Sequence, residues 1–103
     1  MIITLSKPLT YEDVTYTQII LAFERLTGAD SLAVTRKIRQ QSPRDPVMNA
    51  ETDDRYLLGI ASLCSGVPEA ALLALPMPVF VRIKTEVQSF LLEAAAEAMS
   101  TDS

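Results

Sequence analysis

The chain has 103 residues, is 49% hydrophobic and 21% charged, and carries a formal net charge of −4, as expected of one folded domain with a modest core and not of a disordered segment. That acidic balance argues against nucleic acid as a partner, because phosphate binding rests on clustered cations. Histidine is absent and cysteine occurs once, at Cys64, which excludes Ser-His-Asp, Cys-His and His-metal chemistry and any internal disulfide.

Ile2, Ile3, Thr4 and Leu5 form a short β-prone run, expected to end at Pro8 because proline cannot donate to a ladder. The opening MIITLS is too short for a signal segment and has no basic stretch before it. No apolar run approaches the roughly 20 residues of a membrane span, so a cytoplasmic protein without membrane contact is expected. Val14 to Phe23, VTYTQIILAF, is the second β-prone run. A period of two puts Thr15, Thr17, Ile19, Leu21 and Phe23 on one face and Val14, Tyr16, Gln18, Ile20 and Ala22 on the other. The two runs predict a hairpin over 2–24 with a loose loop in SKPLTYED, since no Asn-Gly turn fixes its register.

Thr27 is a favoured N-cap type and Asp30 stands three positions on, as in a capping box with Asp in place of Glu or Gln. Asp30 would also face the positive end of the helix dipole, so we read it as a structural cap and not as a working carboxylate. Leu32, Val34 or Thr35, and Ile38 continue at helical spacing, which predicts a helix over about 28–41. Arg36, Lys37, Arg39 and Arg44 form the only basic cluster. It lies where cations suit the dipole and lacks the interleaved aromatics of a nucleic-acid site.

Residues 41–52, with Pro43 and Pro46, have no apolar period and are expected to be a mobile surface connection. Asn49 or Thr52 can cap the next helix, about 53–65, with Glu51, Asp53 and Asp54 suited to its first turn. A weakly bound cation is the other reading of those acids. Tyr56, Leu57, Ile60, Leu63 and Cys64 supply an apolar face, and Gly66 stops the helix. On that face Cys64 reads as a buried, inert thiol and not as a nucleophile. Pro68 opens a short helical turn over 68–75, which Pro76 closes.

The last helix is expected over about 78–99. Phe80, Ile83, Val87, Phe90, Ala94 and Ala98 form a stripe, widened by Leu91, Leu92, Ala95 and Met99 near its end. The predicted fold is therefore α+β, a single domain with an N-terminal β-hairpin followed by three to four helices. From Thr85 onward the charges are Glu86, Glu93, Glu97 and Asp102, with no lysine or arginine. Acids there oppose the dipole. They form either a solubilising tail or the rim of a partner surface, in which Leu92 and Met99, with Leu91 and Glu93, meet the partner. No catalytic residue, metal site or cofactor is expected.

ITLSKPL, the YTQIIL strand feeding Leu26-Thr27-Gly28-Ala29-Asp30, the polar gap, LCSGVPEAALLAL and FVRIKTEVQSFL follow one another in a particular order. That order resembles phage tail assembly chaperones of the Mu-like and P2-like type over residues 2–92. Leu26 stands where such proteins often have proline, and Met77-Pro78 where an acid is common. The resemblance implies a small cytoplasmic binding protein, not an enzyme, that holds the long helical tape measure protein soluble until tail tube subunits displace it. The alternative is a small homo-oligomeric tail or capsid component.

Overall fold

A computed structural model describes residues 1–100 of the chain. Strands β1 (Ile2–Tyr11) and β2 (Val14–Ile20) form an antiparallel hairpin. A 3-10 turn at Phe23–Arg25 leads into helix α1 (Gly28–Gln41), and a second at Ala50–Thr52 precedes α2 (Asp54–Ser65). Helices α3 (Glu69–Leu73) and α4 (Met77–Ser100) complete the fold. The architecture is α+β, a β-hairpin followed by four α-helices in one domain.

The hairpin departs from expectation in three ways. First, β1 does not end at Pro8. The ladder runs Ile2↔Ile20, Ile3↔Ile19 and Thr4↔Gln18, breaks, and resumes at Leu9↔Tyr16. Pro8 falls in the break, where no ladder donor is demanded of it. Second, the loop is tight: Tyr11 pairs with Val14, leaving Glu12 and Asp13 as the turn, with φ of 48° and 67°. Both turn residues therefore take the left-handed conformation that twist-matched two-residue hairpins require, without the usual Asn-Gly. Third, the buried phase of β2 does not hold along its length. Ile19 and Leu21 are buried near the base, whereas Tyr16 and its partner Leu9, with Tyr11, pack against the core at the far end. The register offset across the break accounts for that switch, since an odd slip exchanges the faces.

The core is aliphatic. Ile3, Leu5, Ile19 and Leu21 come from the hairpin, Val34 and Ile38 from α1, and Tyr56, Leu57, Ile60, Ala61 and Cys64 from α2. Val67, Ala71, Leu72 and Leu75 add a lid around α3, and Ile83 and Val87 come from α4. Helix α2 is the hub, packed by α1, α3, α4 and β2. The base of the hairpin is tied to its end, where the Ala22 N–H donates to the Cys64 carbonyl at 3.1 Å. Gly66 closes α2 with φ of 72°, in the left-handed conformation that glycine adopts without a Cβ penalty.

Asp53 caps α2, not Asn49 or Thr52: its carboxylate accepts the Arg55 backbone N–H at 2.9 Å. Asn49 and Thr52 belong instead to the preceding 3-10 turn, where the Asn49 carbonyl accepts the Thr52 hydroxyl at 3.2 Å. The segment between α1 and α2 is anchored at two points. Arg55 Nη1 donates to the Asp45 carbonyl at 2.9 Å, and Gln88 Nε2 donates to the Glu51 carbonyl at 2.8 Å.

The apolar stripe of α4 is shorter than its sequence pattern. Ile83 and Val87 are buried and Phe80 and Phe90 half-buried, but Ala94 and Ala98 are exposed, as is every residue from 92 to 99. The helix has 24 residues, about 36 Å at 1.5 Å per residue, and outruns the body that would receive its last turns.

Candidate partner-binding site

The end of α4 forms a helical arm. Its root is fixed on one side by Lys84 Nζ against Asp54 Oδ1 at 3.0 Å and by the Gln88 bond to the Glu51 carbonyl. On the other side Phe90 stacks on Phe23, with ring centroids 4.6 Å apart and planes 5° from parallel. Leu91, placed by its sequence pattern on the partner face, packs instead against this chain's own core. Beyond it the helix leaves the body. Leu92 is 52% and Met99 80% exposed, and Glu93 is exposed between them. Leu92 and Met99 are seven residues apart and so share a face, with Ala95 and Ala96 between them. Glu93 and Glu97 lie one step round the helix as a parallel acidic row. The arm thus presents an apolar ridge with carboxylates along one side. Asp102 lies outside the described residues.

Thr27, Asp30, Asp53, Asp54 and Cys64 have partners within the fold. Asp30 Oδ2 accepts the Thr27 backbone N–H at 2.8 Å and the Thr27 hydroxyl at 3.3 Å, an arrangement that satisfies an orphan donor at the start of α1. Asp30→Ala is expected to lower stability by about 1 kcal/mol in a urea melt. Unchanged stability there would free Asp30 for another role.

The acids before α2 are divided between cations. Asp53 Oδ2 meets Arg55 Nη2 at 2.7 Å, while Asp54 meets Lys84. No group of three or more ligating side chains that could hold a metal ion occurs among the described residues. The side-chain hydrogen bond from Arg55, helped by its backbone N–H, holds the Asp53 carboxyl below its ordinary 3.8. Its folded-state pKa is depressed, so its contribution to stability is complete above about pH 5 and lost as pH falls through the native pKa. Asp53→Ala is expected to cost about 1 to 2 kcal/mol at pH 7. The gap between thermal melts of the two chains should then narrow as pH falls below 3.8; a gap that stays as wide in acid as at neutrality would refute the charged-cap assignment.

Cys64 is buried, and its thiol donates to the Ala61 carbonyl at 3.6 Å. Burial pushes its pKa up to about 11, so almost no thiolate exists at neutral pH. A bulky thiol reagent should label it rapidly only after denaturation. Fast labelling of the native chain would contradict this.

Two features carried little sequence signal. Gly59 is buried where α1 and α2 meet, and a Cβ on it would lie 2.6 Å from Val34 Cγ1. A glycine inside a helical pattern marks such a close approach, and that was the only available sign. Beside it lies a cleft of about 270 Å³ between α1 and α2, lined by Val34, Ile38, Leu58, Gly59, Leu63 and Lys37 among others. Leu63, expected on the buried face, is 49% exposed at its rim. Lys37 Nζ meets Glu69 Oε2 at 2.7 Å across the same cleft.

No helix of the described residues is long and apolar enough to cross a membrane. Residues 2–92 match the sequence model of a family described as phage tail assembly chaperone proteins, E, or 41 or 14. The match ends where the arm begins. No curated protein and no solved structure matches the chain.

Proposed function

The chain belongs to the phage tail assembly chaperone family, and from that membership we propose that it binds the tape measure protein and keeps it soluble in the host cytoplasm during tail assembly. The observation that carries the choice of surface is the arm, a preformed helix whose residues 92–99 are all exposed. A long helical client presents apolar stripes of its own before assembly. A second helix offering Leu92 and Met99 can cover part of such a stripe without paying for its own folding at that moment. Glu93 and Glu97 favour a client segment with cations beside its apolar stripe, and the net charge of −4 keeps the pair dispersed. The role is one of binding and needs no cofactor.

The test is co-expression with a candidate tape measure protein, a long, heptad-rich chain. The client should move from the insoluble to the soluble fraction and co-purify with the chain. A client equally soluble with and without it would sink the proposal. Rings or tubes formed by the chain with no client, and no effect on client solubility, would point instead to a structural component.

A further inference from the structure

One side of α4 is open from Val81 to Met99. Val81, Thr85, Ser89, Leu92, Ala96 and Met99 follow one another at spacings of three and four, so they form a line along the helix. All six are exposed, on the side opposite the one that places Ile83 and Val87 in the core. The apolar members stand towards the two ends, with the small Thr85 and Ser89 between them. The Thr85 hydroxyl already donates to the Val81 carbonyl at 2.9 Å, so it can enter a dry contact without leaving a donor unpaired. Arg82 and Glu93 border the line on the same side. Both are exposed, and neither forms an ion pair among the described residues. Lys84, the other cation of the helix, is held by Asp54. The order of charges is the reverse of what a lone helix prefers, with cations at 82 and 84 and then only acids, Glu86, Glu93 and Glu97. A helix with this order is complementary to its own reversed copy.

We infer that α4 pairs antiparallel with α4 of a second copy of this chain, about a two-fold axis level with Val87. In that register Thr85 of one copy faces Ser89 of the other, and Leu92 packs over Val81. Arg82 comes level with Glu93 of the other copy, and the symmetry makes this pair twice. A parallel pairing would set acid beside acid, whereas the antiparallel one also opposes the two helix dipoles. The contact is isologous, so it closes at a dimer. One helix pair covers less than the roughly 1,600 Å² of a standard interface, so association is expected at about 10 to 100 µM. The exposed ion pairs make it weaken as salt is raised. Leu92 also belongs to the ridge offered to the client, so on that reading dimer and client capture exclude each other.

The experiment is sedimentation velocity on the purified chain alone, with no client, over a concentration series at low and high salt. Wild type should reach dimers and nothing larger, and dissociate more readily at high salt. Arg82→Glu or Glu93→Arg sets two like-charge contacts across the axis and should weaken the dimer about tenfold. Each places the charge that its end of the helix prefers, so the melt should stay native. Joining the two substitutions in one chain should restore the dimer. Val81→Cys chains mixed with Leu92→Cys chains should cross-link to each other and not to themselves. Leu92→Cys cross-linked to itself would mean parallel pairing and would overturn the inference. So would monomeric wild type at about 1 mM, tenfold above the weakest expected affinity, a dimer unaffected by either charge variant, or a charge exchange that restores nothing. Client capture is the second readout: Arg82→Glu keeps Leu92 and Met99 and should capture client at least as well as wild type. Capture lost together with the dimer would overturn the mutual exclusion. A wild type that dimerises but captures no client supports the dimer and fails the client reading alone.

Discussion

Gly59→Leu is expected to leave the chain unfolded at room temperature, the largest loss from any single substitution considered. A Cβ at this position would already stand 2.6 Å from Val34 Cγ1 and 3.3 Å from Cγ2. Val34 cannot turn away cheaply, since a β-branched side chain has one strongly preferred rotamer in a helix, and this one is buried. Overpacking by single methyl groups costs about 1 to 3 kcal/mol, and leucine adds three more carbons to the same gap. The only escape is to part α1 from α2, which also strains the Ser31–Tyr56 hydroxyl bond that joins them. A domain of this size has about 5 to 10 kcal/mol in hand. Gly59→Ala is milder, because alanine regains about 1 kcal/mol of helix propensity against the clash. Its residual loss should shrink when Val34→Ala is added, a coupling that melts of the two single variants and the double variant measure directly. A native melt for Gly59→Leu would mean that the helices do not meet there.

The sequence made legible what depends on local periodicity and on termini. Val34 and Ile38 in α1, Tyr56, Leu57, Ile60 and Cys64 in α2, and Ile83 and Val87 in α4 all lie on the faces that helical spacing assigns to them. Gly66 ends α2 because a left-handed residue is needed there, a requirement written in one residue type. What stayed hidden depends on partners distant in sequence. Pro8 reads as a stop because nothing local shows that the ladder breaks opposite it and resumes at Leu9. The tight turn at Glu12 and Asp13 carries no Asn-Gly signal, because its conformation is imposed by the strands and not invited by the residues. Leu63 fits the apolar face of α2 by spacing, yet it stands half-exposed where α1 and α2 part to form the cleft. Periodicity also continued the α4 stripe through Ala94 and Ala98, because it reports which residues share a face and says nothing about where the rest of the domain ends. The arm is therefore a tertiary fact: its residues were in view, but not their isolation from the core.

That isolation separates stability from binding, and two variants on either side of Leu91 should show it. Leu92→Ser with Met99→Ser alters side chains that are 52% and 80% exposed and form no part of the packed core. Such surface changes usually stay within about 0.5 kcal/mol, so the melting curve should be nearly that of wild type. Client capture should fall steeply, because apolar anchors carry much of the binding energy when a helix docks along its ridge. Phe90→Ala, less than one turn before Leu92, should do the reverse. It removes the ring that stacks on Phe23 at 4.6 Å, and a half-buried aromatic lost together with its stacking partner costs about 2 to 3 kcal/mol. The arm's own side chains would be untouched, so below its lowered melting temperature this variant should still bind client. The measurement pairs a thermal melt with pull-down of a co-expressed tape measure protein, run well below both transitions. Full capture by the double variant would move the binding face away from the arm. A collapsed melt for the double variant would mean that Leu92 and Met99 support the fold after all. The separation is expected because the helix continues past Leu91, the last side chain packed against the core, leaving Leu92 and Met99 exposed as an apolar ridge.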